Sequence, residues 1–194
     1  MQKIMFSDKF GLTKAVLEGR KTMTRRIAEK VLVEDIDQHL VWIGEFKKPK
    51  FKVGEVVAVA QSYKDAGFSP DTLIREYKTM KDVPGWTNKM FVEAQSMRYF
   101  IRITNIQVER LQDISDEDCF REGVRRWKDC PDCPDVAKNF PDELYEIPGS
   151  WDAYLSPRKA FAALIDKVSG KGTWDSNPWV FVYEFELVKC YEND

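Results

Sequence analysis

The chain has 194 residues, enough for one domain of ordinary size. With 43% hydrophobic, 32% charged and 13% aromatic residues, it is too rich in core-forming side chains to be a disordered chain, and no apolar run reaches the roughly 18 residues of a membrane helix. Thirty basic residues against 32 acidic ones, a net charge of -2, exclude a globally basic nucleic-acid coat, so any nucleic-acid site is local.

The N-terminus, MQKIMFSDKF, carries charge in its first residues and has no apolar signal core. No membrane association is therefore expected. The cysteines Cys119, Cys130, Cys133 and Cys190, with no export signal, point to a reducing, cytoplasmic setting and free thiols. Residues 4–6 read as a first strand. Ser7 or Asp8 can cap a helix whose stripe is Phe10, Leu12, Val16 and Leu17, with Gly19 placed to end it. The segment from Gly19 to Arg26 then enters a strand. Residues 31–52 read as a hairpin-like insertion with a cationic stretch at Lys47, Lys48, Lys50 and Lys52. Val56 to Tyr63 is a strong strand, 64–96 a loop with one short helix, and Arg98 to Leu111 a long strand.

Ser115 caps a helix with an acidic first turn (Asp116, Glu117, Asp118), and Gly123 ends it. Residues 125–150 hold four prolines and six acids and read as a loop-rich excursion. Ser156-Pro157 opens the last helix, with Phe161, Leu164 and Val168 on its apolar face and Gly170 as its stop. Pro178 to Val188 is the final strand, with Trp179, Phe181, Tyr183, Phe185 and Leu187 on one face. The order lacks the regular βαβ rhythm of a doubly wound sheet. An α+β fold is expected, a small mixed β-barrel with flanking helices.

The densest chemical signal is Gly19-Arg20-Lys21-Thr22-Met23-Thr24-Arg25-Arg26, with four cations and two hydroxyls in eight residues. Strand alternation places Thr24 and Arg26 on one side and Met23 and Arg25 on the other. Taken alone, cations after a helix end also serve its dipole. Cys130-Pro131-Asp132-Cys133 is half of a zinc site, but no second pair completes it, and unligated thiols are the expectation. The single histidine, His39, excludes chemistry that needs two.

Gly19, Lys21, Thr24 and Arg26 reproduce the G-x-K-x-x-T-x-R pattern of the ASCH domain, a relative of the PUA fold. Lys52-Val53-Gly54-Glu55-Val56 resembles its K-x-G-[DE]-x turn. Leu111 to Ser115 with Glu122-Gly123-Val124 resembles its later helix, and Asn177-Pro178-Trp179-Val180 with Tyr183-Glu184-Phe185 resembles the closing strand of the longer, phage- and prophage-associated members. The resemblance implies one PUA-like domain over residues 1–194, a mixed β-barrel with flanking helices and loop-rich insertions near 35–50, 65–95 and 125–155. It also implies an amidohydrolase of the kind that removes the acetyl group from N(4)-acetylcytidine, with Lys21, Thr24 and Glu122 as its catalytic set, no cofactor and no metal. The alternative is a non-catalytic module that binds RNA or a modified nucleoside or nucleotide. Arg25, Arg26, Trp86, Asn88, Lys89 and Asn177 are expected to contact the ligand, because cations and amides read phosphates and base edges while an indole stacks on a base. A threonine needs a base to activate it, and either a neutral Lys21 or an ionised Glu122 can be that base; tight pairing of the two favours a charged Lys21 facing an oxyanion, with Glu122 accepting the proton.

Overall fold

The computed structural model of the chain describes residues 1–34, 40–75, 78–130 and 143–188, with the backbone alone for 30–34, 40–46 and 75. The elements in chain order are β1 (Lys3–Ile4), α1 (Leu12–Leu17), β2 (Met23–Ile27), β3 (Lys30–Glu34), β4 (Leu40–Phe46), β5 (Val56–Val59), β6 (Leu73–Arg75) and β7 (Lys78–Thr79). There follow β8 (Phe100–Arg110), α2 (Asp116–Arg121), β9 (Arg125–Arg126), β10 (Tyr145–Glu146), β11 (Ala153–Tyr154), α3 (Pro157–Ser169), α4 (Thr173–Ser176) and β12 (Trp179–Val188).

The main sheet is mixed, with the order β1-β5-β8-β12-β2. β1 and β5 are parallel and the other neighbours antiparallel. β12 lies between β8 and β2, so both of its edges are paired, and the burial of successive residues shows that both of its faces are covered. Val180 and Val182 are as deeply buried as Phe181 and Tyr183, where alternation alone implied one buried face. The α+β class expected from the sequence is present. Closure into a barrel is not seen among the described residues: β1 and β2 are the sheet edges and no strand pairing joins them. Among the described residues three small sheets accompany it: β3–β4, β6–β7 and β11-β10-β9.

Two helix caps follow local chemistry. The Ser115 hydroxyl accepts a hydrogen bond from the Asp118 N–H at 3.1 Å, and Ser156 accepts from Lys159 at 3.2 Å with Pro157 in the first turn. The start of α1 differs from expectation. Its cap is Gly11, at φ 58°, while Asp8 accepts a hydrogen bond from Thr13 and pairs with Lys89. Residues 64–96 hold the β6–β7 hairpin and four 3-10 turns in place of a short helix, as suits a stretch interrupted by Gly67, Pro70, Pro84 and Gly85. The hairpin expected within 31–52 is present as the antiparallel pair β3–β4.

The core forms where α1 and α3 lay their apolar faces on the sheet. Leu12, Ala15 and Val16 come from α1, and Ala160, Phe161, Leu164 and Ile165 from α3. Val168, expected on that face, is 45% exposed, because the last turn of α3 runs past the packed region to Gly170 at φ 111°.

Candidate functional site

Two chain reversals assemble the site. At the end of α1, Gly19 takes φ 72°, and the Lys21 N–H returns to the Ala15 carbonyl at 2.9 Å. The chain then enters β2 beside α2, with the Thr22 N–H donating to the Arg121 carbonyl at 3.0 Å. At the end of α2, Glu122 is the last residue of helical conformation and Gly123 turns away at φ 110°. A Cβ on Gly123 would lie 3.0 Å from Leu12 Cδ2, so this turn sits tightly against α1.

Lys21 and Glu122 meet there. Lys21 Nζ lies 2.5 Å from Glu122 Oε2 and 2.7 Å from the Glu122 carbonyl oxygen. Both residues are buried, at 2% and 4% exposure. Two charges withdrawn from water persist only with close pairing and further hydrogen bonds, and both are present. Burial pushes Lys21 below the ordinary lysine range, and the Glu122 carboxylate opposes that shift. The ammonium also sits 5.7 Å from the Phe6 ring centroid.

Arg25 holds the other side of Glu122. Its Nη1 reaches Glu122 Oε1 at 3.2 Å, its Nη2 reaches Asp118 Oδ2 at 3.1 Å, and its Nε reaches Glu109 Oε1 at 2.9 Å. Arg25 is 5% exposed and is surrounded by carboxylates. That makes it a structural hub, although it also lines the cleft beside Lys21 and Glu122. Asp118 lies four residues before Glu122, on the same face of α2, a spacing visible in the sequence; Glu109 on β8 carried no such signal.

Thr24 is buried, and its hydroxyl makes no hydrogen bond among the described residues. With Lys21, Glu122, Arg25 and Arg26 it lines a cleft of about 320 Å³, whose apolar wall includes Phe6, Phe161 and Leu164. Arg26 Nη2 donates to the Met5 carbonyl at 2.7 Å. Met5, Arg26 and Ile27 also line a second chamber of about 530 Å³, so the two chambers adjoin.

The remaining expected contacts lie elsewhere. Lys89 Nζ is tied to the Phe6 carbonyl at 2.6 Å, Thr13 Oγ1 at 3.2 Å and Asp8 at 2.7 Å. Asn88 accepts from the Met90 N–H at 3.0 Å, capping a 3-10 turn, and Trp86 is half-buried in the preceding turn. Asn177 takes φ 41°, and its side chain accepts from the Gln112 N–H at 2.9 Å. None of these four lines either chamber. No tryptophan with a described side chain lines them either: the rings come from Phe6 and Phe161 in the first chamber and from Phe51, Phe181 and Tyr183 in the second. Nothing in the spacing of these phenylalanines marked them apart from core residues.

Cys130 is disulfide-bonded, contrary to the free thiols expected; Cys133, Cys190 and His39 lie outside the described residues. A zinc ligand must be a thiolate, which a disulfide sulfur is not. Burial pushes the free Cys119 thiol up to about 12, which leaves it inert as a nucleophile. Among the described residues no cluster of three or more metal-ligating side chains occurs, and no helix is long and apolar enough to cross a membrane.

No family model and no curated protein matches the chain. The crystal structure of a protein from Enterococcus faecalis V583, described as family-model DUF984, is similar at a TM-score of 0.44 and 13% identity, over 100% of this chain and 84% of that one. At that distance, the chemistry rests on this chain's own residues.

Proposed function

We propose that the chain is an ASCH-type amidohydrolase of PUA-like ancestry that acts on an acylated nucleobase or nucleoside resembling N(4)-acetylcytidine. The observation that carries this reading is the convergence of Lys21, Thr24 and Glu122, separated by up to 101 residues, on one cleft. An ammonium has three N–H donors. Two of those of Lys21 go to Glu122, and the third is available to the oxygen of a bound amide. In the proposed reaction a water held by Thr24 adds to the acyl carbon. The carbonyl oxygen becomes an oxyanion beside Lys21, where a fixed cation in a dry site is most effective. Glu122 takes the proton of the water and passes it to the departing nitrogen as the C–N bond breaks, giving a carboxylic acid and the free amine. The apolar wall of Phe6 and Phe161 suits the flat face of a base.

A second reading has its own support. Both Glu122 oxygens are already engaged by cations, Lys21 and Arg25, an arrangement that suits a PUA-like module that binds RNA or a modified nucleotide without turnover. The deciding experiment is hydrolysis of N(4)-acetylcytidine and a panel of other acylated bases by the purified protein. Release of the free amine supports the enzyme. No release from any acylated base, together with tight, salt-dependent RNA binding, gives the case to the binding module.

A further inference from the structure

The second chamber is unlike the first. Its floor is aromatic: Phe51, Phe181 and Tyr183 are all buried, with Phe51 set edge-on to Tyr183 at 5.4 Å between centroids. Its rim is cationic, from Lys47, Lys48 and Lys50. The Tyr183 hydroxyl accepts the Lys50 N–H at 2.9 Å, which fixes the backbone of this lysine segment against the floor. Not every cation is available. Lys3 donates to the carbonyls of Lys89, Met90 and Val92, and Lys47 pairs with Glu29 at 2.5 Å. Lys48 and Lys50 have no carboxylate partner among the described residues, and Lys50 Nζ rests 5.3 Å from the Phe51 ring centroid. Arg26 stands at the junction, and among the described residues its side chain makes a single hydrogen bond, to the Met5 carbonyl.

Surface lysines are ordinarily only a solvated face. Here they rim a concavity with a low-dielectric floor, and such clefts concentrate an electrostatic field on an anion. The concavity also adjoins the Lys21–Thr24–Glu122 cleft at Arg26, which lines both and whose planar guanidinium suits phosphate oxygens. We infer that the second chamber is a phosphate seat, and that the ligand of this site is a phosphate-bearing nucleotide whose base enters the first chamber. The inference rests on the nucleobase reading of the first chamber. The phosphate belongs either to a mononucleotide or to one unit of an RNA strand; the chemistry at the seat is the same.

The test is equilibrium binding of N(4)-acetylcytidine, its 5′-monophosphate, a trinucleotide containing it, and inorganic pyrophosphate. Each is measured with the wild type and with the Lys48→Gln/Lys50→Gln double variant, whose folding is checked by thermal unfolding. Both substituted side chains are exposed. The wild type is expected to prefer the monophosphate to the nucleoside by about tenfold or more, a ratio that falls to within about threefold in the variant and shrinks with added salt. A further gain with the trinucleotide assigns the phosphate to a strand, and no gain assigns it to a free nucleotide. Equal affinity for nucleoside and monophosphate in the wild type, or a preference that survives in the variant, overturns the phosphate seat while leaving the nucleobase reading intact. If neither nucleoside nor monophosphate binds, the nucleobase reading has failed, and pyrophosphate decides the seat. Binding lost in the variant keeps it, and no binding to the wild type removes it.

Discussion

At the residue scale, Lys21 and Thr24 make different demands on the chain although they are three positions apart. Lys21 is enclosed by its partner: its ammonium is held by the side chain and the backbone of Glu122, and removing it leaves a buried carboxylate with Arg25 alone. Lys21→Ala therefore damages folding, binding and turnover together and discriminates poorly among roles. Thr24 is buried without a hydrogen-bond partner among the described residues, so the nearly isosteric Thr24→Val removes a hydroxyl and little else. For an amidohydrolase, Thr24→Val is expected to lower kcat by a factor on the order of a hundred or more. Ligand affinity is expected to change by less than about tenfold. Steady-state hydrolysis with equilibrium binding measures both; turnover equal to wild type would remove Thr24 from the reaction.

At the scale of the element, β2 is a partition. Thr24 and Arg26 face the cleft, and Arg25 joins three carboxylates from two other elements, Glu109 of β8 and Asp118 and Glu122 at α2. The hub fixes the angle between α2 and the sheet, and with it the place of Glu122. A second latch runs beside it: Arg121 bonds Thr22 Oγ1 at 3.3 Å and Glu184 at 2.5 Å. Replacing Arg25 leaves the buried Glu122 carboxylate facing two partly exposed ones with one cation fewer. Arg25→Met is expected to destabilise the fold by about 3 kcal/mol, the lower end of the range for breaking a buried ion pair, since two of its partners keep some contact with water. Asp118→Asn, which retains a polar contact, is expected to cost about 1 kcal/mol. Denaturant midpoints at constant slope provide the comparison; an Arg25→Met protein as stable as the wild type would refute the hub.

For the whole molecule, acid is the informative stress. Glu184, on the inner strand β12, is held below the usual glutamate value of 4.5 by the hydrogen bonds of Arg121 and then of Asn105. Asp166 in α3 is held below 3.8 by the N–H groups of Trp174 and Gly172, which tie α3 to α4. In each case the unfolded chain takes up its proton first as pH falls. The contribution of each carboxylate is therefore complete above its unfolded value and is lost as pH falls through the folded one. Stability is expected to decline below about pH 4.5, and Glu184→Gln is expected to make that decline shallower. Urea midpoints between pH 3 and pH 6 test this. An equal acid slope in the variant would show that the Arg121–Glu184 latch contributes nothing to acid stability.

The sequence by itself determined what nearest neighbours decide. Ser115 and Ser156-Pro157 cap their helices because the groups that satisfy the first N–H donors lie within three residues. The strand at β8 and the reversals at Gly19, Gly123 and Gly170 were legible for the same reason. The pattern Gly19-x-Lys21-x-x-Thr24-x-Arg26 and the later Glu122-Gly123 marked residues that meet in one cleft, but only through resemblance, since no local rule links positions 101 apart. Tertiary structure alone decided which charges face ligand space and which face each other. Arg25 and Lys89 read as free cations in the sequence and are bound by groups more than 75 residues away. Asn88 and Asn177 read as base-reading amides and instead satisfy backbone N–H groups. The sheet order β1-β5-β8-β12-β2 brings Phe51, Phe181 and Tyr183 together as the floor of a chamber. A side chain's type is local, whereas its partner is fixed by strand register and helix packing, which depend on contacts spread along the whole chain.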